Sequence, residues 1–175
     1  MIAMLDLAVL GLLRREPRHG YDLRLRLAEL GFGRVSFGAL YPALRRLERR
    51  GWIEALRPVA RRKAYRLTGE GRIALDGLLI EDGEEPDSDG TFAIRLAFFE
   101  FIPADRRLAI LRRRRSQLVA RLGAASQALR HAMTTDADPY TLALVRHNVA
   151  SIESDIAWLD ELVAMTRTDT RRNPS

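Results

Sequence analysis

The residues in this chain whose types and spacing could do chemistry are arginines at helical intervals. Between Ser36 and Gly51, Leu40, Ala43, Leu44 and Leu47 share one face and must point at a core. The opposite face then carries Gly38, Pro42, Arg45, Arg46 and Arg49, with Tyr41 at its flank and Ser36 at its start. A guanidinium offers a planar fork of donors that meets guanine edges or phosphate oxygens two at a time. Small residues at the start of such a helix let its backbone enter a groove closely. A basic helix face taken alone is better described as a solvated surface, because charge runs usually just face water. A second basic cluster shifts that balance. Arg61, Arg62 and Lys63, followed by Tyr65, fall at the tip of a predicted hairpin, where they would lie over the backbone or minor groove of a duplex.

The charge distribution agrees with this placement. Residues 1–80 hold 16 Lys+Arg against 8 Asp+Glu, whereas residues 81–175 hold 13 against 15, so the net +6 belongs to the N-terminal part. A localised positive excess is the electrostatic footprint expected of nucleic-acid binding.

Other chemistries find little to stand on. There is no cysteine, which excludes disulfides and thiolate metal sites. His19, His131 and His147 have no ligand-like spacing, and His19 reads as a capping or packing residue. Glu85, Asp87, Asp89 and Gly90 imitate the start of a calcium loop, but its twelfth position is Leu96, so the site is rejected. Arg112 to Arg115 wrap around a helix and read mostly as a solvated surface. No phosphate loop or nucleophile motif is present, and the expectation is a protein that is not an enzyme and holds no metal or cofactor. The absence of a signal sequence and of a long apolar stretch points to a cytoplasmic protein with no membrane partner.

These residues need elements to hold them. Apolar spacing predicts helices over Met1–Arg15, stopped by Pro17, and over Gly20–Leu30, broken by Gly31 and Gly33. Ser36 suits an N-cap and Gly51 a C′ position for the third helix, in which Pro42 predicts a local irregularity. Trp52–Leu56 and Lys63–Leu67 read as strands around a loop, and Thr68 can cap a helix through Leu79. Three helices, a hairpin and a following helix make the winged helix plan. The acidic run Glu81–Asp89 is the clearest linker.

Beyond it, Phe92 to Ile102 is almost wholly apolar, and helices are predicted from Ala104 to about Met133 and from Pro139 to about Thr166. In the last of these, Leu142, Val145, Val149, Ile152, Ile156, Leu159 and Val163 alternate by three and four, a seam that specifies left-handed helix pairing. Leu108, Leu111, Leu118, Leu122, Ala125 and Leu129 repeat it in the preceding helix, with Arg115 as a polar intruder. Such a hairpin leaves apolar surface for a partner, and a second copy is the simplest one. Phe92, Phe98 and Phe99 read either as core packing or, with Trp158, as a pocket for a small aromatic effector.

Several motifs are shared with a known family. Leu10-Gly11-Leu12-Leu13 and Pro17-Arg18-His19-Gly20-Tyr21-Asp22-Leu23 resemble the opening of the PadR family of bacterial regulators. Ser36-Phe37-Gly38-Ala39-Leu40-Tyr41-Pro42-Ala43-Leu44-Arg45-Arg46-Leu47-Glu48, then Gly51-Trp52-Ile53, resembles it more closely. Arg62 to Thr68, with Gly71, looks like the family's wing and following helix. The resemblance is specific over residues 5–75 and looser over 92–166. It implies a homodimeric repressor with interlocking C-terminal helices and with Tyr41 and its neighbours near DNA. Ala39 departs from the family's usual Thr, and Val59-Ala60-Arg61-Arg62 from its usual Gly-Arg-Pro-type wing tip.

The expected fold class is mainly α with a small β-hairpin wing. A winged helix-turn-helix DNA-binding domain (1–80) and an acidic linker (81–91) precede an antiparallel, coiled-coil-like dimerisation domain (92–166) and a frayed tail (167–175). The expected function is a homodimeric transcriptional repressor on a pseudo-palindromic operator in double-stranded DNA, released by an effector. The alternative is a winged-helix adaptor that binds protein.

Overall fold

The computed structural model describes residues 4–32, 34–57, 63–80, 88–135 and 137–172. The chain divides into two compact units, Met1–Ile102 and Pro103–Ser175.

The first unit follows the winged helix plan. Helices α1 (Met4–Arg15), α2 (Gly20–Leu27) and α3 (Phe37–Arg49) precede a sheet and a fourth helix. Their buried faces include Leu10 and Leu13 of α1, Leu23 and Leu27 of α2, and Leu40, Leu44 and Leu47 of α3, whereas Tyr21, which helical spacing places inward on α2, is exposed. A π turn, Ala28–Phe32, ends the second helix, with Gly31 in the left-handed region at φ 89°.

Strands β1 (Arg18–His19), β2 (Ile53–Ala55) and β3 (Ala64–Leu67) form one antiparallel sheet in the order β1-β3-β2. Arg18 pairs with Tyr65 and His19 with Ala64 on one side of β3, while Ile53 pairs with Leu67 on the other. The hairpin is the expected one, but β1 is a third strand that the sequence does not announce, because two residues between Pro17 and a helix carry no alternation. His19 lies in this strand and makes no side-chain cap to α2.

The junction after α3 shows why the chain turns there. Gly51 has φ 71°, its N–H donates to the Glu48 carbonyl, and the Trp52 N–H donates to the Leu47 carbonyl. This is the paired bonding of a glycine-terminated helix, and it releases the chain directly into β2. Helix α4 (Gly69–Ile80) starts on Thr68, whose hydroxyl accepts from the Gly71 N–H and donates to the Gly51 carbonyl.

Helix α5 (Asp89–Ala97), capped by the Ser88 hydroxyl, and a 3-10 turn (Phe99–Phe101) complete this unit. The expected boundary before Phe92 therefore falls elsewhere: Phe92–Ile102 belongs with the first unit. The physical reason is Gly11. The Phe98 ring occupies the space a side chain at position 11 would fill, with ring atoms 2.4–2.6 Å from the place of a Cβ. Arg15 holds the same turn through the Ala97 carbonyl and the Glu100 carboxylate, and Arg14 lies over the Phe101 ring at 4.6 Å.

The second unit is a helical hairpin of α6 (Ala104–Thr134) and α7 (Pro139–Arg172). The Asp138 carboxylate accepts from the Tyr140 and Thr141 backbone N–H groups and starts α7. Its bonds to Thr141 hold it below the usual carboxylate range. Leu111, Leu118, Ala125 and Ala132 on α6 and Ile152 and Leu159 on α7 recur every seventh residue and are buried. Arg115, the polar intruder, forms a two-bond pair with Asp160 across the hairpin. Helix α7 runs past the expected end near Thr166, since neither glycine nor proline interrupts residues 167–172. No described helix is long and apolar enough to cross a membrane.

A Cβ at Gly71 would lie 1.9 Å from the Trp52 carbonyl oxygen, which also accepts from the Thr68 N–H. Gly71→Ala is therefore expected to lower unfolding stability by about 1–3 kcal/mol, read in a urea titration. Gly77→Ala, where a Cβ meets nothing within 4 Å, is the matched control and should not destabilise.

Candidate nucleic-acid interface

Helix α3 begins on Ser36, whose hydroxyl accepts from the Ala39 N–H at 3.2 Å. With Leu40, Ala43, Leu44 and Leu47 buried, the outer face presents Gly38, Pro42, Arg45 and Arg49, as the periodicity predicts, together with Ala39, while Arg46, expected on the same face, is half-buried. The expected irregularity at Pro42 does not interrupt the helix, which runs unbroken from Phe37 to Arg49. Pro42, Arg45, Arg46, Glu48 and Arg49 line a shallow depression of about 480 Å³ on this face.

The basic residues fall into two kinds according to what neutralises them. Arg46 is turned inward: its Nε donates to Asp6 Oδ2 at 2.9 Å and a terminal nitrogen donates to Oδ1. Asp6 is only 1% exposed, so its charge must be compensated within the protein. The hydrogen bond that Arg46 donates to Asp6 raises the pKa of that guanidinium above its ordinary value. Arg46 therefore ties α3 to α1, with its guanidinium committed to Asp6. Lys63 donates to both oxygens of Glu48 at 3.2 and 3.3 Å, bonds that raise its own pKa, and so ties the end of the wing to α3.

Arg45 and Arg49 differ. Both are exposed, no carboxylate among the described residues pairs with either, and the Arg49 Nε reaches only the Arg45 carbonyl at 3.4 Å. Arg50 lies over the Trp52 ring at 5.0 Å. Guanidiniums held by rings or carbonyls keep their full charge for phosphates.

Tyr65 departs from expectation. Its ring is 4% exposed, and burial pushes its hydroxyl pKa up. The alternation along β3 explains this: Tyr65 and Leu67 point to one face, Ala64 and Arg66 to the other. That period of two was legible, but the hairpin-tip assignment overrode it. Tyr65 instead supports Lys63, whose ammonium lies 5.1 Å from its ring centre. Arg61 and Arg62 lie outside the described residues.

Arg24 and Phe37 escaped the sequence reading. The Arg24 guanidinium lies 4.3 Å above the Phe37 ring and 5.3 Å from that of Tyr21, and Phe37 stacks on Tyr41 at 5.8 Å. The stack joins α2 to the leading end of α3, and the Tyr41 hydroxyl rests 3.4 Å from where a Gly20 Cβ would lie. The available signal was an aromatic and an arginine three residues apart on α2, facing a Phe and a Tyr four apart on α3.

The aromatic cluster near residue 98 is mostly packing. Phe98 and Phe92 are buried, Phe99 is half-buried, and Trp158 belongs to the other unit. Of the seam residues expected to meet a second copy, Ile152, Leu159 and Val163 are already buried within the single chain, and Leu142, Val145, Val149 and Ile156 are partly covered. The reason is that α6 carries the matching seam.

Arg46→Ala should strand the Asp6 carboxylate and lower unfolding stability by about 3 kcal/mol, seen as a lower urea midpoint at constant slope. Arg45→Ala, one position away but exposed, should change it by no more than about 0.5 kcal/mol.

Comparison with known proteins gives one family match and several similar solved structures. Residues 9–77 match the family described as transcriptional regulator PadR-like. Bacillus subtilis PadR in complex with operator DNA is 21% identical, with 94% of this chain and 99% of that chain covered and a TM-score of 0.43. The same protein with p-coumaric acid is 22% identical over 94% and 99%, at 0.44. The Vibrio cholerae virulence activator AphA is 19% identical over 94% and 98%, at 0.41. No protein of curated function matches the chain. Over residues 9–77, this chain is similar to the PadR-like family of transcriptional regulators.

Proposed function

We propose that this protein is a DNA-binding transcriptional regulator, acting as a homodimeric repressor on a pseudo-palindromic operator. The observation that carries the reading is the outer face of α3, where Arg45 and Arg49 stand exposed without a carboxylate partner. Beside them, Arg46 and Lys63 are neutralised by Asp6 and Glu48. A helix with small residues first and unneutralised arginines later suits entry into a major groove. The charge excess of residues 1–80 supports the same conclusion. The residues in contact would be Ser36, Gly38, Tyr41, Pro42, Arg45 and Arg49, with Arg61, Arg62 and Lys63 of the wing beside them. Release by a small aromatic effector is the regulatory part of the reading.

Duplex affinity is expected to fall steeply and linearly on a plot of log affinity against log salt. Arg45→Ala should cut binding to a selected operator by roughly 1–3 kcal/mol while leaving non-specific binding nearly intact. Salt-independent binding, or none, would instead point to an adaptor that recognises protein.

Two such units on one palindrome would place their reading helices about 34 Å apart. Because Ile152, Leu159 and Val163 of the seam are covered within the chain, we assign the dimer contact to the outer surface of α7, where Tyr140, Leu144 and Met165 remain exposed. Leu144→Glu with Tyr140→Glu should give a monomer of unchanged helix content and weakened operator binding. A wild-type protein that is monomeric in light scattering would remove the dimer from this reading.

A further inference from the structure

Tyr21, Phe37 and Tyr41 form an exposed group at the leading end of α3, with Phe37 and Tyr41 each 42% exposed and Tyr21 more so. Phe37 is the first residue of the helix, and its ring is not free to swing. Tyr41 stacks on it at an interplanar angle of 25°, and the Arg24 guanidinium covers it at 4.3 Å. An oriented ring edge therefore stands at the surface with a cation fixed beside it. Among the described residues no carboxylate neutralises that cation, which also leans on Tyr21.

This combination selects its counterpart. An apolar protein surface would cover the rings but leave the guanidinium desolvated and unpaired. A bare phosphate would satisfy the guanidinium and ignore the ring. The major-groove edge of a T·A pair offers both, since the 5-methyl group of thymine projects into the groove beside its backbone. Gly38, next to Phe37, adds no side chain that would hold a base pair away.

We infer that Phe37 is a specificity-determining residue that packs its ring edge on a thymine methyl group in each half-site, with Arg24 on a neighbouring phosphate. The inference rests on the reading of α3 as the helix that enters DNA, and adds which base its leading end selects. Arg24 and Tyr41 act here as positioning residues for the ring.

The test is selection of bound duplexes from a random pool by the wild type, Phe37→Ala and Phe37→Leu, followed by replacing consensus thymines one at a time with deoxyuridine. The wild-type consensus should contain a fixed thymine whose replacement weakens binding about three- to fivefold, the value of one buried methyl group. Phe37→Ala should become indifferent at that position, and Phe37→Leu should retain part of the preference. A consensus unchanged by Phe37→Ala, or a wild type insensitive to deoxyuridine at every thymine, overturns this inference alone. A wild type that selects no sequence overturns the proposed function as well. The deoxyuridine scan uses only the wild type, so it decides the matter even if a variant fails to fold.

Discussion

The arrangement of the first unit depends on a buried carboxylate. Asp6 sits in the apolar body of α1 between Leu5 and Leu7, almost wholly removed from water. A carboxylate there is tolerated only with a charged partner that also fills its hydrogen bonds. Arg46 is that partner, and it stands on α3 between the core face and the outer face. Satisfying Asp6 therefore fixes the rotation of α3 about its axis, which hydrophobic contact alone constrains loosely. A turn of one residue, about 100°, would carry Arg46 away from Asp6 and Arg45 into the core. With the rotation fixed, Arg45 and Arg49 face outward and Phe37 and Tyr41 meet α2. Gly51 then ends the helix where β2 must start.

The same constraint explains why basic residues that look alike in the sequence do different work. Arg45 and Arg46 are adjacent, yet one is exposed without a carboxylate and the other is bonded to one. Lys63, the single lysine, is held by Glu48 from the same helix, so the wing and α3 share a neutral junction. Rings rather than carboxylates hold Arg24 and Arg50. A surface of this composition keeps its positive potential while restricting the motion of the side chains that produce it.

The winged plan was legible because its signals are local. The stripe Leu40, Ala43, Leu44, Leu47 and the Gly51 terminus each follow from a few neighbouring residues, and the structure reproduces them. What stayed hidden depends on distant partners. Nothing near Arg46 says that Asp6, forty positions earlier, will claim it, and nothing near Arg18 says that two residues will pair with Tyr65. Phe98 was ambiguous for the same reason: its place is the hollow at Gly11, and a glycine inside an apolar helix does not state what fills the space above it. Tyr65 is a different case. It alternates inward with Leu67 on β3, whereas the basic residues just before it suggested the surface.

The long helices show a limit of periodicity itself. A seam with alternating three and four spacing specifies that a helix is paired, but not whether the partner lies in the same chain. Both α6 and α7 carry such a seam, and a four-residue connection brings them together at almost no loss of chain entropy. The intrachain pairing is therefore favoured, because a second copy must also overcome the entropy of association. Arg115, which interrupts the α6 seam, is matched by Asp160 of the same chain, so the one polar position in the seam favours this register. Hydrophobic spacing measures how much surface a helix must cover, whereas the polar interruption identifies what covers it.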